Sequence, residues 1–200
     1  MWNAARGLGR MPSTAPTCLS GYHCGACDAD YGSVSWNPSD PNLFVTGSCD
    51  ARALLWDARM DSTVHSFSGH RGDVNSVEYV QQHSGIHADP SSFMMSGHAF
   101  ATGSEDGTCR LFDLRAGTLL NTYAQDSHLS SVSSVALSRS GRMLFSARED
   151  GKCFVWDTLH AQRAGVLSGH DAPIACLGVS PDGTGVATGG WDARVLLWGA

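Results

Sequence analysis

Hydroxyl, carboxylate and aromatic residues recur at fixed distances along this chain, and short apolar segments surround them. In four segments a Ser or Thr precedes an Asp by four residues, and an aromatic residue follows that Asp by six. The sets are Thr46/Asp50/Trp56, Thr102/Asp106/Phe112, Ser146/Asp150/Trp156 and Thr188/Asp192/Trp198. β-Branched and aromatic residues favour strands, and Asp-Gly pairs favour turns. The spacing therefore predicts four hairpins, with the hydroxyl on one strand and the aromatic residue on the next.

Further apolar segments between these hairpins predict additional strands in each unit. Predicted inner strands lie at 34–36, 73–79, 134–138 and 174–179, and predicted outer strands at 62–68, 118–124 and 161–167. Residues 80–98 are polar and contain Gly, Pro and Ser, which predicts a solvent-exposed loop inserted between two strands. The whole pattern predicts an all-β fold.

The repeat length identifies the kind of all-β fold. A unit of about 40 residues that ends in Trp-Asp is typical of the blades of a WD-repeat β-propeller. We assign repeats to residues 17–61, 62–117, 118–160 and 161–200, and an irregular segment to residues 1–16. The composition of that segment fits either an organelle transit peptide or a mis-started reading frame, and we favour the second interpretation.

A histidine before the hydroxyl completes the pattern in the later repeats. His128 and His170 each lie 22 residues before their Asp, and His70 lies 36 before Asp106 because of the insertion. In WD repeats such a His bridges the Asp and the hydroxyl in a buried hydrogen-bonded chain. The resemblance implies the same structural role here, because buried polar groups need partners.

The number of blades leaves two interpretations of the whole chain. Residues 14–20 are in phase to supply an outer strand to the last blade, which would close a four-bladed ring. Four blades are the low end for propellers, and WD-repeat propellers usually have seven. We favour the second interpretation, in which the four blades are the C-terminal part of a seven-bladed propeller.

Composition excludes several classes of function. The chain has 200 residues, 42% of them hydrophobic and 16% charged, which suits a globular fold with a core. A net charge of −6 argues against nucleic acid or an anionic membrane as a partner. No apolar run approaches the ~20 residues of a membrane span. Seven cysteines, several of them in or beside predicted strands, indicate reduced thiols in an intracellular protein rather than disulfides.

Several linked stretches resemble one family in particular, the heterotrimeric G protein β subunit. They are residues 44–50, 69–75, 100–117, 163–171 and 187–192. The Phe112 that replaces Trp in one repeat belongs to that family's pattern. The resemblance covers residues 29–200 and corresponds to the family's last four blades. The first three blades and the coiled-coil helix that holds the γ subunit have no counterpart here.

This resemblance implies a non-enzymatic scaffold for receptor-coupled signal transduction. Its partners would be γ and GDP-bound α subunits and effectors, and lipidated partners would hold it at the inner face of the plasma membrane. The α-binding positions carried over by motif are Asp30, Asp73, Asn75, Glu105 and Trp191, and the γ-facing positions are Asp113 and Arg115. Exposed carboxylates suit basic partner residues, and an exposed Trp is a common interface anchor.

Other interpretations stay open from the sequence alone. The loop carboxylates are also compatible with simple solvation, and Trp191 with packing on a neighbouring blade. A different WD-repeat adaptor and a truncated non-functional product are the alternative functions. The spacing of His83, His87 and His98 fits no zinc pattern. Cys24 and Cys27 lie beside His23, but a zinc site there would need a fourth ligand, for which Cys18 is the only nearby candidate, and a redox site would need a βαβ context. No catalytic motif is present, so we expect no enzyme activity, cofactor or metal.

Overall fold

The computed structural model describes residues 31–60, 62–81, 97–125 and 130–199, and this part of the chain forms strands and turns without a helix. The strands are β1 Tyr31–Trp36, β2 Leu43–Ser48, β3 Ala53–Asp57, β4 Thr63–Phe67, β5 Val74–Tyr79, β6 Ala99–Ser104, β7 Cys109–Asp113, β8 Thr118–Tyr123, β9 Val132–Leu137, β10 Met143–Arg148, β11 Lys152–Asp157, β12 Gln162–Ser168, β13 Ile174–Val179, β14 Gly185–Gly190 and β15 Val195–Gly199. The all-β prediction is confirmed. The predicted segment 1–16, the strand proposed at 14–20 and most of the inserted loop lie outside the described residues.

The strands form four antiparallel sheets that follow one another along the chain. Sheet 1 contains β1–β4, sheet 2 contains β5–β8, sheet 3 contains β9–β12, and sheet 4 contains β13–β15. The predicted outer strands at 62–68, 118–124 and 161–167 are β4, β8 and β12. Each outer strand pairs with the strand that precedes it in the chain. The last strand of a sheet therefore belongs to the next sequence repeat.

Each sheet has two chemically different faces, because successive side chains of a strand point to opposite sides. The aromatic face carries the hydroxyl and the aromatic residue of the repeat, such as Thr102 and Phe112 in sheet 2. The opposite face, here called the small-residue face, carries the residue after the hydroxyl. That residue is Gly47, Gly103, Ala147 or Gly189.

Neighbouring sheets pack with the small-residue face of one against the aromatic face of the next. Phe67 of sheet 1 lies 4.9 Å from Phe100 and 5.4 Å from Phe112 of sheet 2, between ring centroids. Tyr123 of sheet 2 lies 5.9 Å from Trp156 of sheet 3. The same arrangement brings the first strands β1, β5, β9 and β13 side by side in that order. The core is therefore a series of similar joints between sheets, as expected for a propeller.

Polar side chains of these inner strands reach across to the next sheet. Ser35 Oγ accepts the backbone N–H of Tyr79 at 3.2 Å, and Glu78 Oε2 accepts that of Leu137 at 3.2 Å. Three further serines make the same kind of bond, namely Ser33 to Val77, Ser76 to Val135 and Ser134 to Leu177. Each bond satisfies a strand N–H that has no partner within its own sheet.

Close approach of the sheets explains the small residue after each hydroxyl and gives a prediction. A Cβ on Gly103 would lie 2.6 Å from the Cγ1 atoms of both Val132 and Val135, whereas a Cβ on Gly189 would approach only Cys176 Sγ, at 3.1 Å. We expect Gly103→Ala to lower the free energy of unfolding by about 2 kcal/mol, the usual cost of overpacking. The matched change Gly189→Ala should have little effect in urea unfolding. Equal effects would contradict this packing.

Candidate functional site

The loops at the two ends of the sheets present different groups of predicted site residues. One end, here called the turn face, contains the loops that precede the first strands and the turns between the second and third strands. Asp73, Glu105 and Trp191 lie on it. Asp113 ends β7 and Arg115 lies in the turn that follows, at the opposite end. The chain therefore separates the predicted α-binding and γ-facing positions.

A buried hydrogen-bonded chain supports the turn face in sheet 2. His70 Nδ1 lies 3.0 Å from Asp106 Oδ2, and His70 Nε2 lies 2.7 Å from Thr102 Oγ1. The carboxylate can only accept, so Nδ1 carries the proton in this bond. Asp106 also accepts the backbone N–H of Arg71 at 3.0 Å. The side chain of Phe112 has no N–H group, so no indole bond to Thr102 exists in this repeat.

Burial and hydrogen bonding act on the pKa of the Asp106 carboxyl in opposite directions. Desolvation by burial, the largest single influence, raises the pKa. Hydrogen bonds from His70, from Thr108 and from the backbone of Arg71 lower it, and together they hold the pKa well below 3.8. The carboxyl is therefore ionised at neutral pH and fixes the loop that contains His70 against the turn after β6.

Sheet 4 contains the complete version of this chain. Trp198 Nε1 donates to Thr188 Oγ1 at 2.9 Å, and Thr188 Oγ1 lies 2.9 Å from His170 Nε2. His170 Nδ1 lies 2.9 Å from Asp192 Oδ2. The bonds form one consistent series, in which the indole donates to the hydroxyl, the hydroxyl to Nε2, and Nδ1–H to the carboxylate. It links β14, β15 and the turn between them to the loop that precedes β13.

Sheets 1 and 3 also contain the indole bond, and the Asp of each accepts the same turn N–H that the Asp accepts in sheets 2 and 4. Trp56 Nε1 donates to Thr46 Oγ1, and Trp156 Nε1 donates to Ser146 Oγ, each at 2.9 Å. Asp50 Oδ1 accepts the backbone N–H of Arg52, and Asp150 Oδ1 that of Lys152, each at 3.1 Å. Asp150 is exposed. The predicted His128 lies outside the described residues.

Trp191 is the most prominent side chain on the turn face. It is 77% exposed, and its backbone N–H donates to Pro173 O at 2.9 Å. Beside it an ion pair joins Arg194 Nη1 to Asp171 Oδ2 at 2.9 Å. The indole therefore projects into solvent from an anchored turn and does not pack on a sheet. An exposed aromatic ring on such a support is typical of a preformed contact surface.

The acidic positions on the turn face are not equivalent. Glu105 is exposed, and its backbone N–H donates to Asp73 O at 2.9 Å, so the two loops are adjacent. Asn75 differs because its amide donates to Val132 O at 3.0 Å and thereby links sheet 2 to sheet 3. The Asn75 side chain therefore has a structural role. Asp30 lies outside the described residues.

At the opposite end, Asp113 shapes the turn in which Arg115 lies. Asp113 Oδ1 accepts the backbone N–H groups of Arg115 and Ala116 at 2.7 and 3.0 Å. Arg115 is exposed. The Arg115 guanidinium is therefore at the surface, whereas the Asp113 carboxylate accepts backbone hydrogen bonds of the turn.

Two thiols of the described part, Cys109 and Cys153, are buried, whereas Cys49 and Cys176 are exposed. Burial raises the pKa of Cys109 and of Cys153 to about 12, so both thiols are neutral at physiological pH and lack the reactivity of a thiolate. No group of three or more His, Cys, Asp or Glu residues suited to a metal occurs within the four described ranges. His83, His87, Cys24 and Cys27 lie outside them.

One buried and one half-buried charged residue were missed by sequence reasoning. Arg148, at the position that Gly190 takes in sheet 4, is fully buried. Its Nη2 donates to Ser130 O at 2.7 Å, and its guanidinium lies 4.9 Å from the centre of the Phe154 ring. Burial of Glu78 raises the pKa of its carboxyl to about 7. For both Arg148 and Glu78, the only signal in the sequence was a charged residue at a position where the other repeats have a small or hydroxyl residue.

Repeated antiparallel sheets, each held together by an indole–hydroxyl bond, a His–Asp–Thr bridge or both, define a WD-repeat scaffold. A model of the "WD domain, G-beta repeat" matches residues 17–57, 61–113, 117–157 and 161–199, so the chain belongs to the WD-repeat family. It is similar to the guanine nucleotide-binding protein subunit beta of Nicotiana tabacum (46% identity over 178 residues) and of Zea mays (43% over 180), in each case over 85% of this chain. The resemblance predicted from the sequence is confirmed.

The match covers only part of each relative. The chain spans 44% of the length of the Nicotiana and Zea proteins. Proteins of this family are non-enzymatic scaffolds, in agreement with the sequence prediction. The described residues contain no helix that is long and apolar enough to cross a bilayer.

Proposed function

We propose that this chain is part of a scaffold of the G protein β type, which holds a GDP-bound α subunit on the turn face. The relatives are named as β subunits of guanine nucleotide-binding proteins. The observation that carries the proposal is the 77% exposure of Trp191 on an anchored turn. A large apolar ring that is exposed on a rigid support gains contact area on binding at little entropic cost.

The carboxylates of the turn face would add polar contacts around this anchor. Asp73 and Glu105 come from adjacent loops and suit Arg or Lys side chains of an α subunit. Asp30 belongs to the same proposal by its motif. Asn75 would contribute indirectly, because its amide already links sheets 2 and 3.

The opposite end would face a γ subunit. Arg115 is exposed there, and Asp113 holds its turn in place. In this arrangement one partner does not obstruct the other, because the two sets of residues lie at different ends of the strands. Association with the inner face of the plasma membrane would then follow from lipid groups on the partners, and effectors would bind after the α subunit leaves.

We expect Trp191→Ala to weaken binding of a purified GDP-bound α subunit by at least about tenfold, as for an aromatic hot spot. Surface plasmon resonance on the immobilised chain measures the change. Leu159→Ala is the matched control, because Leu159 is an exposed apolar residue in a turn at the opposite end. If both variants bind like the unchanged chain, the α-binding assignment is wrong and another WD-repeat scaffold function is favoured.

A further inference from the structure

Three turns of the described residues join the first and second strands of a sheet, at the end opposite the turn face. Two of them use a carboxylate in the same way. In sheet 4, Asp182 Oδ1 accepts the Oγ–H of Ser180 at 2.6 Å and the backbone N–H of Thr184 at 3.1 Å. In sheet 1, Asp40 Oδ1 accepts the backbone N–H of Asn42 at 2.9 Å. Both turns therefore contain an anionic acceptor for the N–H two residues later.

The corresponding turn of sheet 3 has a serine at this position. Gly141 and Gly183 have positive φ angles of 70° and 78°, and each donates its backbone N–H to the carbonyl three residues earlier at 2.8 Å. The turns of sheets 3 and 4 therefore correspond residue by residue, and Ser140 takes the place of Asp182. Ser140 Oγ accepts the backbone N–H of Arg142 at 3.3 Å, so a neutral hydroxyl makes the bond that a carboxylate makes in sheet 4.

Two cationic side chains flank Ser140. Arg139 precedes it and Arg142 follows it by two residues, and all three residues are exposed. Within the four described ranges, no other Ser or Thr has an Arg or Lys within two residues on both sides. Arg142 Nη2 also pairs with Asp157 Oδ2 at 3.1 Å, but 46% of the Arg142 side chain is exposed. The turn therefore presents a hydroxyl without charge between two accessible cations.

We propose that Ser140 is a phosphorylation site for a serine/threonine kinase that selects arginine on both sides of its target. Ser140 Oγ attacks the γ-phosphorus of ATP, and the bond from this phosphorus to the bridging oxygen of ADP breaks. ADP leaves, and the hydroxyl proton passes to a carboxylate of the kinase. The phosphate adds a charge of about −1.5 to −2 and three acceptor oxygens. It gives the turn of sheet 3 the anionic acceptor that Asp182 and Asp40 give the other two turns.

The donors that stabilise an anion in the turn of sheet 4 are also present in sheet 3. Hydrogen bonds from Ser180 and Thr184 lower the pKa of Asp182 to about 2. In sheet 3 the equivalent serine hydroxyl is that of Ser138, whose Oγ lies 3.3 Å from Ser140 Oγ, and the equivalent backbone N–H already points to Ser140. The two flanking arginines add charge-assisted bonds that sheet 4 lacks, since guanidinium groups bind phosphate strongly.

The position of the site separates this proposal from the proposed binding of an α subunit. Ser140 lies at the opposite end of the sheets from Trp191, and at the same end as Arg115. The phosphate converts residues 138–142 from a cationic turn into a nearly neutral one and leaves the turn face unchanged. The proposal therefore holds whether or not the turn face binds an α subunit.

Treatment of the folded full chain with ATP and a purified kinase of this specificity tests the site. Peptide mapping by mass spectrometry should find a phosphate on Ser140, and Ser140→Ala should abolish it. Ser39→Ala, a change at an exposed serine in the corresponding turn of sheet 1, should leave the phosphate in place. Absence of phosphate from Ser140, or its presence only after the chain has been unfolded, would overturn the proposal.

Phosphorus nuclear magnetic resonance tests whether the turn holds the phosphate, on a full chain with phosphoserine installed at Ser140 during translation. The second pKa of phosphoserine is ordinarily about 6. Here it should be clearly lower, because nearby cations favour the doubly charged form. Arg139→Gln and Arg142→Gln should each raise this pKa towards its ordinary value, and Arg115→Gln, at the same end but in another turn, should not. An ordinary pKa in the chain with all its arginines would show that the turn is not built to receive a phosphate.

Discussion

Replacement of His70 by Ala is expected to lower the free energy of unfolding by about 3 kcal/mol, the order of loss when a buried pair loses one partner. The side chain is almost fully buried and joins Asp106 to Thr102, at 3.0 and 2.7 Å. Without the imidazole, the Thr102 hydroxyl and one carboxylate oxygen lose a partner in a place that water reaches poorly. Equilibrium unfolding in urea, followed by circular dichroism, measures the loss.

The control for His70→Ala is a histidine that also contacts an Asp but lies at the surface. His160 Nδ1 is 3.2 Å from Asp157 Oδ2, and the His160 side chain is mostly exposed. His160→Ala should change the stability by less than about 0.5 kcal/mol, because surface ion pairs contribute little. Similar losses for the two variants would mean that the buried bridge does not stabilise the sheet.

The low pKa of Asp106 gives the His70 experiment a pH dependence. A carboxyl whose pKa is lower in the folded than in the unfolded chain stabilises the fold above the unfolded pKa, near 3.8. That stabilisation is lost as the pH falls below this value. The difference in stability between the unchanged chain and His70→Ala should therefore shrink in strong acid.

Glu78→Gln is expected to stabilise the chain at pH 8 and to have little effect at pH 4.5. Desolvation raises the pKa of the Glu78 carboxyl from 4.5 to about 7. In this window the folded chain keeps a proton that the unfolded chain releases, so stability falls as the pH rises. The loss is on the order of 3 kcal/mol across the window. Glutamine avoids it because its amide oxygen can accept the Leu137 N–H without a charge.

Urea unfolding of Glu78→Gln and of the unchanged chain between pH 4.5 and 8 measures this difference. Glu149→Gln, a change at an exposed glutamate on the turn face, is the matched control and should leave the pH dependence as it is. The account of Glu78 fails if its replacement leaves the slope of stability against pH unchanged.

The spacing of the repeats predicted the fold well because the same physical demand recurs in each unit. A hydroxyl, an Asp four residues later and an aromatic six further on are the positions that one hairpin brings into a single hydrogen-bonded chain. The outer strands were equally predictable, because each directly precedes the next His or its equivalent. Thr188, Asp192 and Trp198 illustrate the result, with His170 bonded to the first two.

Contacts between sheets were much less predictable than contacts within a repeat. Glu78 and Asn75 bond to backbone groups 59 and 57 residues away. No local pattern encodes such a distance, since it depends on how one sheet lies against the next. The role of Asn75 as a link between sheets was missed for this reason, and Arg148 was missed because its burial involves the backbone of Ser130, 18 residues earlier in the chain.

The exchange of indole N–H protons with solvent tests the central claim, that one hydrogen-bonded chain recurs in successive sheets and leaves the turn face free for partners. Nuclear magnetic resonance resolves the indole protons separately. The account predicts slow exchange for Trp56, Trp156 and Trp198, whose N–H groups donate to Thr46, Ser146 and Thr188 at 2.9 Å. It predicts fast exchange for Trp191, which is 77% exposed. Fast exchange at the first three positions, or slow exchange at Trp191, would contradict it.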